Sequence, residues 1–307
     1  MKVLVTGASG LLGKELVREL LSRRYTVVAV YNRNPIGIES NELVKVKLDI
    51  TNRATLEDLI LKMQPNIIVH AAAYTDVDGC ELRKDLAWRV NVEATRSIVK
   101  AARIVKSYLI YISTDYVFDG EKGMYREEDI PNPVNYYGLT KLIGEEIVKS
   151  SELEHIIIRT SAIYGVGGSK KSFAEFVAEE LSKGRKVYAL YDQYISPTLN
   201  TLLAQALMEV IELRLSGVLH IAGERMNRYK FALKIAEVLG LSKSLIEKVD
   251  MKSMSKWVAK RPRDSSLNTE KARKILKTPF YNTQLALKLF RDQWLKRRGT
   301  YHAIQKL

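Results

Sequence analysis

The chain has 307 residues, 46% hydrophobic and 27% charged, the balance of a soluble globular protein with room for one large domain or two unequal ones. Its net charge of +14 is scattered, densest at Lys296-Arg297-Arg298, and reads as a solvated surface that favours an anionic small molecule; a nucleic-acid partner would need a basic stripe, which is absent. No apolar run spans a bilayer, a strand pattern near the first residue leaves no room for a cleavable leader, and a single cysteine, Cys80, excludes an internal disulfide, so a cytoplasmic protein with no membrane partner is expected.

Strand and helix patterns alternate from the start. Residues 2–6 form an apolar run before a glycine cluster, and residues 11–23 place Leu12, Leu16, Val17, Leu20 and Leu21 at helical spacing. Further buried strands are expected at 27–30, 44–48, 67–69, 108–112 and 156–158, with helices at 53–63, 84–105 and 135–151. Continuous apolar strands alternating with helices predict an α/β protein, a Rossmann-type doubly wound parallel sheet. After Tyr164 the run Gly165-Val166-Gly167-Gly168-Ser169 predicts a flexible loop. Helices at 170–183, 200–213, 228–239 and 268–276 and short strands at 186–190 and 217–221 follow. The expected division is a dinucleotide-binding domain over 1–164 and a smaller mixed α/β substrate-binding region over 165–307, with the chain crossing back to the first domain.

Gly7, Gly10 and Gly13 lie between the first strand and its helix, flanking Ser9, Leu11 and Leu12. There the chain must turn sharply, admit a pyrophosphate to its backbone and pack a helix on the sheet, while the helix N-terminus offers free N–H groups to phosphate. An NAD site would place Asp or Glu at the end of the second strand to hold the ribose hydroxyl. This chain has Tyr31-Asn32-Arg33-Asn34, with a guanidinium suited to a 2′-phosphate, so NADP(H) is expected over NAD(H). Asp49 could accept from an adenine amino group with Ile50 against the ring, or cap the next helix.

Tyr137 and Lys141 are four residues apart on an expected helix, which puts them on one face. A nearby ammonium lowers a phenol's pKa, and the same lysine can hold the nicotinamide ribose hydroxyls. Tyr137 can then pass a proton to a carbonyl oxygen as hydride reaches the carbon. Ser113 and Thr114 follow the strand at 108–112, at the carboxyl edge where such sheets bind ligands, and the Thr114 hydroxyl suits the third role of holding that oxygen. The four histidines, His70, His155, His220 and His302, are too widely spaced for a metal site, so no metal is expected.

These segments resemble the extended short-chain dehydrogenase/reductases over nearly the whole chain, most closely the dTDP-4-dehydrorhamnose reductase family. The resemblance is carried by Thr6-Gly7-Ala8-Ser9-Gly10-Leu11-Leu12-Gly13, by Ala71-Ala72-Ala73-Tyr74-Thr75-Asp76, by Ser113-Thr114-Asp115-Tyr116-Val117-Phe118-Asp119-Gly120 and by Tyr137-Gly138-Leu139-Thr140-Lys141. It implies Thr114, Tyr137 and Lys141 as the catalytic triad, with Ala71, Ala72, Ala73 and Ser113 along the cofactor. It further implies Thr160 and Ser161 by the nicotinamide, and Val117, Phe118 and the loop with Gln193 facing the substrate. The implied reaction is NADPH-dependent reduction of the 4-keto group of dTDP-4-dehydro-L-rhamnose or a close nucleotide-sugar relative. The alternatives are an epimerase or dehydratase that retains NAD, and an NADP-binding regulatory subunit of methionine adenosyltransferase. Family members often carry a tryptophan after Arg-Thr-Ser, where this chain has Ala162, and they often dimerise, which implies a homodimer.

Overall fold

The computed structural model describes residues 1–168 and 170–304; Ser169 of the expected glycine loop lies outside them, as do the side chains of Arg298 and His302. The first half runs β1 (Lys2–Thr6), α1 (Leu11–Ser22), β2 (Thr26–Tyr31), β3 (Leu43–Lys47), α2 (Arg53–Met63), β4 (Ile67–His70), α3 (Val77–Leu82), α4 (Lys84–Trp88), α5 (Ala94–Val105), β5 (Tyr108–Thr114), α6 (Tyr136–Lys149) and β6 (His155–Thr160). The second half runs β7 (Ile163–Tyr164), α7 (Phe173–Ser182), β8 (Val187–Leu190), β9 (Tyr194–Ile195), β10 (Thr198–Leu199), α8 (Asn200–Leu213), β11 (Gly217–His220), β12 (Met226–Asn227), α9 (Arg228–Leu239), β13 (Ile246–Val249), α10 (Glu270–Ile275) and α11 (Thr283–Ile304).

Seven parallel strands form the main sheet in the order β11-β6-β5-β4-β1-β2-β3. This is the Rossmann-type arrangement, with the order reversing beside β1 so that a crevice opens at the strands' carboxyl ends. β11 comes from the second half of the chain and pairs with β6 as an edge strand. The remaining strands form three two-stranded pairs, β7 with β10, β9 with β12 and β8 with β13, which carry the region beyond the sheet edge.

Helices cover both sheet faces, which is why the strands read as unbroken apolar runs. Val3, Val5, Val27, Ala29, Ile110 and Ile158 point to one side, against Leu16 and Leu20 of α1, Leu203 and Leu207 of α8 and Phe290 of α11. Leu4, Val28, Ile68, Leu109 and Ile157 alternate to the other, against Leu56 and Ile60 of α2 and Ile98 and Ala102 of α5. Each fully buried Val, Leu or Ile contributes roughly 1.5–3 kcal/mol.

The helix expected over 84–105 is interrupted. Between α4 and α5, residues Arg89–Glu93 form a π-helical turn. The buried Asn91 in it accepts from the Tyr74 amide at 2.8 Å and donates to the Tyr74 carbonyl at 3.2 Å and the Thr140 hydroxyl at 3.0 Å. Helical periodicity continues through the insertion, so it was invisible to spacing. α3 and α11 also form outside the expected elements.

Candidate active site

One cavity of about 700 Å³ follows the carboxyl edge of the sheet. At one end the β1–α1 turn presents Gly7, Ser9, Gly10, Leu11, Leu12 and Gly13. Gly7 has φ +69°, and a Cβ there would lie 2.8 Å from the Ala72 nitrogen; a Cβ on Gly13 would lie 2.2 Å from the Gly7 oxygen. Gly10 begins α1 with no side-chain cap, so the first amides of the helix remain available to an anion.

Asn32 and Arg33 line the same cavity at the end of β2, as do Asp49 and Ile50 beyond β3. Asp49 does not cap α2, because Asn52 takes that place by accepting from the Thr55 amide. Asp49 instead accepts from the Thr51 amide at 3.0 Å and hydroxyl at 2.8 Å. The amide bond of Thr51 holds its carboxyl below the ordinary value, with Asn32 and the Arg33 charge adding to the effect.

Ala71, Ala72 and Ala73 line the middle of the cavity after β4. A directional relay fixes that backbone. The Ala72 amide donates to Thr6 Oγ1 at 3.2 Å, which donates to His70 Nδ1 at 2.8 Å. His70 Nε2–H then donates to Thr95 Oγ1 at 3.1 Å, whose own proton goes to the Asn91 carbonyl at 2.7 Å. His70 is thereby one neutral tautomer, and burial brings its pKa down to about 3, with the Lys141 charge acting in the same sense. The π-turn is thus tied both to the cavity floor and to Thr140 on α6.

Ser113 and Thr114 from β5 meet Tyr137 and Lys141 from α6 at the far end. Asn135 caps α6, accepting from the Gly138 amide at 2.9 Å while its own amide donates to the Lys260 carbonyl at 3.0 Å. A Cβ on Gly138 would fall 2.1 Å from the Tyr116 oxygen, so only glycine lets α6 press on the turn that follows β5. That approach brings Tyr137 beside Thr114, whose hydroxyl acts to lower the Tyr137 pKa. The Tyr116 ring stands edge-on to Tyr137, centroids 6.0 Å apart.

The Lys141 ammonium is buried 4.0 Å from the centroid of the Tyr111 ring. Burial brings its pKa down to about 7, and Glu145 one turn further along α6 raises it. Burial pushes the Tyr137 hydroxyl above its ordinary value; the Thr114 hydrogen bond opposes that and the Asp115 carboxylate adds to it. This differs from the expected ammonium-lowered phenol, because removal from water dominates at both groups. Ser113 lines the same end of the cavity and donates to Glu145 Oε1 at 2.6 Å. Glu145 also receives the buried Arg159, with Nη2 at 2.7 Å from Oε2.

Thr160 and Ala162 line the cavity beside this constellation. The Thr160 hydroxyl is buried without a hydrogen-bond partner among the described residues, and Ala162 holds a left-handed φ of +42°. Three expected substrate-facing residues are elsewhere. Val117 and Phe118 are fully buried, Phe118 stacked on Tyr125 at 4.2 Å, because the 3₁₀ turn Asp115–Val117 carries the chain away from the sheet edge. Gln193 is buried behind the wall, where it accepts from Arg228 Nε at 2.5 Å and donates to the Pro262 carbonyl at 3.3 Å. Arg228 and Phe231 of α9, Phe173 of α7 and Ile195 of β9 line the cavity in their stead. None carried a sequence signal beyond helical or strand spacing; the Asn227 cap before Arg228 was the nearest clue.

The left-handed Gly7, the close backbones, the free helix amides and the unpartnered Thr160 hydroxyl all fit a dinucleotide lying across the sheet edge, from the glycine turn to Tyr137. Among the described residues no group of His, Cys, Asp and Glu suits a metal, and no helix is long and apolar enough to cross a membrane. Fold and site together define an extended short-chain dehydrogenase/reductase, an oxidoreductase of the nicotinamide-dinucleotide class. Residues 1–295 match the family described as the RmlD substrate binding domain, and the chain belongs to that family. The crystal structure of a hypothetical dTDP-4-dehydrorhamnose reductase from Sulfolobus tokodaii is 48% identical, with a TM-score of 0.83 over 94% of this chain and 99% of that one. The Bacillus anthracis dTDP-4-dehydrorhamnose reductase in complex with NADP is 30% identical, with a TM-score of 0.83 over 94% and 98% of the two chains. The probable low-salt glycan biosynthesis reductase Agl14 of Haloferax volcanii is 34% identical over 87% of this chain and 90% of its own. The methionine adenosyltransferase 2 subunit beta of Bos taurus is 31% identical over 91% and 84%.

Proposed function

We propose that this chain is an NADPH-dependent nucleotide-sugar reductase that converts the 4-keto group of dTDP-4-dehydro-L-rhamnose, or of a close relative, to the alcohol. The observation that carries this reading is the meeting of Thr114, Tyr137 and Lys141 at the end of the cavity that begins at the glycine turn. Residues 1–164 would hold the dinucleotide, and 165–307, with β11 returned to the sheet, would supply the substrate side. Arg33, with no carboxylate beside it at the end of β2, supports NADP(H) over NAD(H), as does the NADP bound to the Bacillus anthracis relative. When bound, the reduced nicotinamide supplies the hydride. Tyr137, which burial keeps protonated, gives its proton to the carbonyl oxygen. Lys141 holds the ribose side of the cavity, and Thr160 offers its free hydroxyl to the nicotinamide end.

Arg228 lines the same cavity beside Tyr116 and suits the diphosphate of a nucleotide sugar. Ala162 leaves open the space that a tryptophan occupies in many family members, so the sugar ring is the least constrained part of the substrate. A regulatory-subunit reading is favoured by one observation, the similarity to the methionine adenosyltransferase subunit. The test is NADPH oxidation with dTDP-4-dehydro-L-rhamnose and with other 4-keto nucleotide sugars. Turnover should fall about 10²–10⁴-fold in Tyr137→Phe with NADPH binding retained. NADPH binding without turnover of any of these sugars would remove the reductase reading and favour the regulatory one.

A further inference from the structure

Asp115 follows the catalytic threonine and is 3% exposed, yet no cation pairs with it among the described residues. Three hydroxyls hold its carboxylate. Ser161, just past β6, donates to Oδ2 at 2.7 Å; Ser265, from the segment 261–267, donates to Oδ2 at 2.5 Å; and Thr114 donates to Oδ1 at 3.1 Å. A hydroxyl has one proton. The Thr114 proton is directed to Asp115, while its oxygen accepts from the Tyr116 amide at 3.2 Å; turned instead to Tyr137, the same hydroxyl would lower the tyrosine pKa. Thr114 could stabilise a Tyr137 phenolate only by donating to it, and the carboxylate competes for that donation.

Resting on the reductase reading, we propose that Asp115 is a positioning residue: it holds the proton of Thr114, denies it to the Tyr137 oxygen, and so keeps Tyr137 in the proton-donating form that carbonyl reduction needs. Its negative charge acts in the same sense. The other titratable groups around Tyr137 are Tyr116 after β5, Tyr111 within β5, Cys80 of α3 and Lys141 on its own helix, with Arg228 of α9 acting on Tyr116. Only Asp115 also commits the Thr114 hydroxyl. Because Ser265 belongs to the substrate side, where Asp264 pairs with Arg225 and Ser265 N bonds to the Tyr194 carbonyl at 3.2 Å, the same carboxylate ties that side to the acid.

The test follows the Tyr137 hydroxyl by NMR in protein labelled at the tyrosine Cζ carbon, with Tyr137→Phe to assign the signal. Asp115→Asn should lower the Tyr137 titration midpoint by about one pH unit or more. Ser265→Ala, which keeps the charge and the Thr114 bond, should leave it in place. In a Thr114→Val background the effect of Asp115→Asn should shrink by at least about half, since the two act as one unit. An unmoved midpoint would overturn the assignment and leave Asp115 a purely structural tie. Should Asp115→Asn not fold, Ser161→Ala/Ser265→Ala serves: Thr114 is then the carboxylate's remaining hydroxyl donor, and a lowered Tyr137 midpoint would overturn the proposal. The midpoint needs no substrate. A wild-type protein inactive on all the sugars would therefore end the reductase reading while the NMR result still decides what Asp115 does.

Discussion

Arg33 is an exposed side chain at the mouth of the cavity, and its charge already reaches Asp49 on the neighbouring strand end. A guanidinium there has little to gain from the protein itself, since exposed charge pairs contribute under about 1 kcal/mol. Its worth is in meeting a 2′-phosphate, where a charge-assisted hydrogen bond contributes about 1.5–3 kcal/mol. Arg33→Ala should therefore raise KM for NADPH by roughly 10–100-fold and leave KM for NADH within about twofold. Equal changes for the two cofactors would show that Arg33 does not read the 2′ position. Gly138 works at the same scale by a different means. It has an ordinary backbone conformation, and what it supplies is the missing Cβ that would strike the Tyr116 carbonyl.

At the scale of elements, the site depends on how β5, β6 and α6 are clamped beneath it. Glu145 and Arg159 are both within 1% of complete burial and are joined through Arg159 Nε at 3.0 Å and Nη2 at 2.7 Å. The Arg159 guanidinium also lies 5.1 Å from the Phe118 ring centroid. Glu145→Gln would strand that guanidinium away from water, and breaking a buried pair costs about 3–5 kcal/mol. It would also remove the charge that raises the Lys141 pKa, so any activity requiring the ammonium should decline at a lower pH. Urea unfolding and the pH–rate profile check the two effects separately; a variant as stable as wild type would show that the pair is not a clamp.

The elements legible in the sequence were those whose chemistry demands particular residues in an unbroken run. The glycine turn, the Ser113-Thr114 strand end and the Tyr137–Lys141 spacing are of this kind, and the structure brings all of them to one cavity. The parallel sheet was legible because both its faces are covered. What escaped was decided between distant segments. The π-turn exists so that Asn91 can reach Tyr74 and Thr140, and a periodic pattern does not register one extra residue in a turn. Val117 and Phe118 follow Thr114 by three and four residues, but a single 3₁₀ turn sends them into the core, while Arg228 arrives from more than a hundred residues away.

On the scale of the whole molecule, many charged side chains meet in surface ion pairs, whereas two histidines are sealed inside and held neutral. His70 is fixed by the relay between Thr6 and Thr95. His220 donates from Nδ1 to the Tyr125 carbonyl at 3.1 Å and presents Nε2 to Arg159 Nη1 at 3.4 Å, so a second proton would face a guanidinium. Burial brings both pKa values down to about 3 from the ordinary 6.5, with Arg159 adding to the effect at His220. Above pH 6.5 neither the folded nor the unfolded chain protonates these rings, and their neutrality has no effect on stability. As the pH falls below 6.5 the unfolded chain takes up the two protons and the folded chain does not, so stability is lost progressively down to about pH 3. Between pH 6.5 and about 5 most carboxylates have yet to titrate, so the slope there belongs largely to histidine. Chemical denaturation across that interval should lose stability at a rate approaching about 2.7 kcal/mol per pH unit for the pair, from about 1.36 kcal/mol per proton. His220→Gln, which keeps a donor for the Tyr125 carbonyl and an acceptor for Arg159, should roughly halve that slope, whatever it does to stability at pH 7.5. A wild-type slope near zero would mean that the buried rings accept protons in the folded state, with His70 then donating from both nitrogens, to Thr6 and to Thr95.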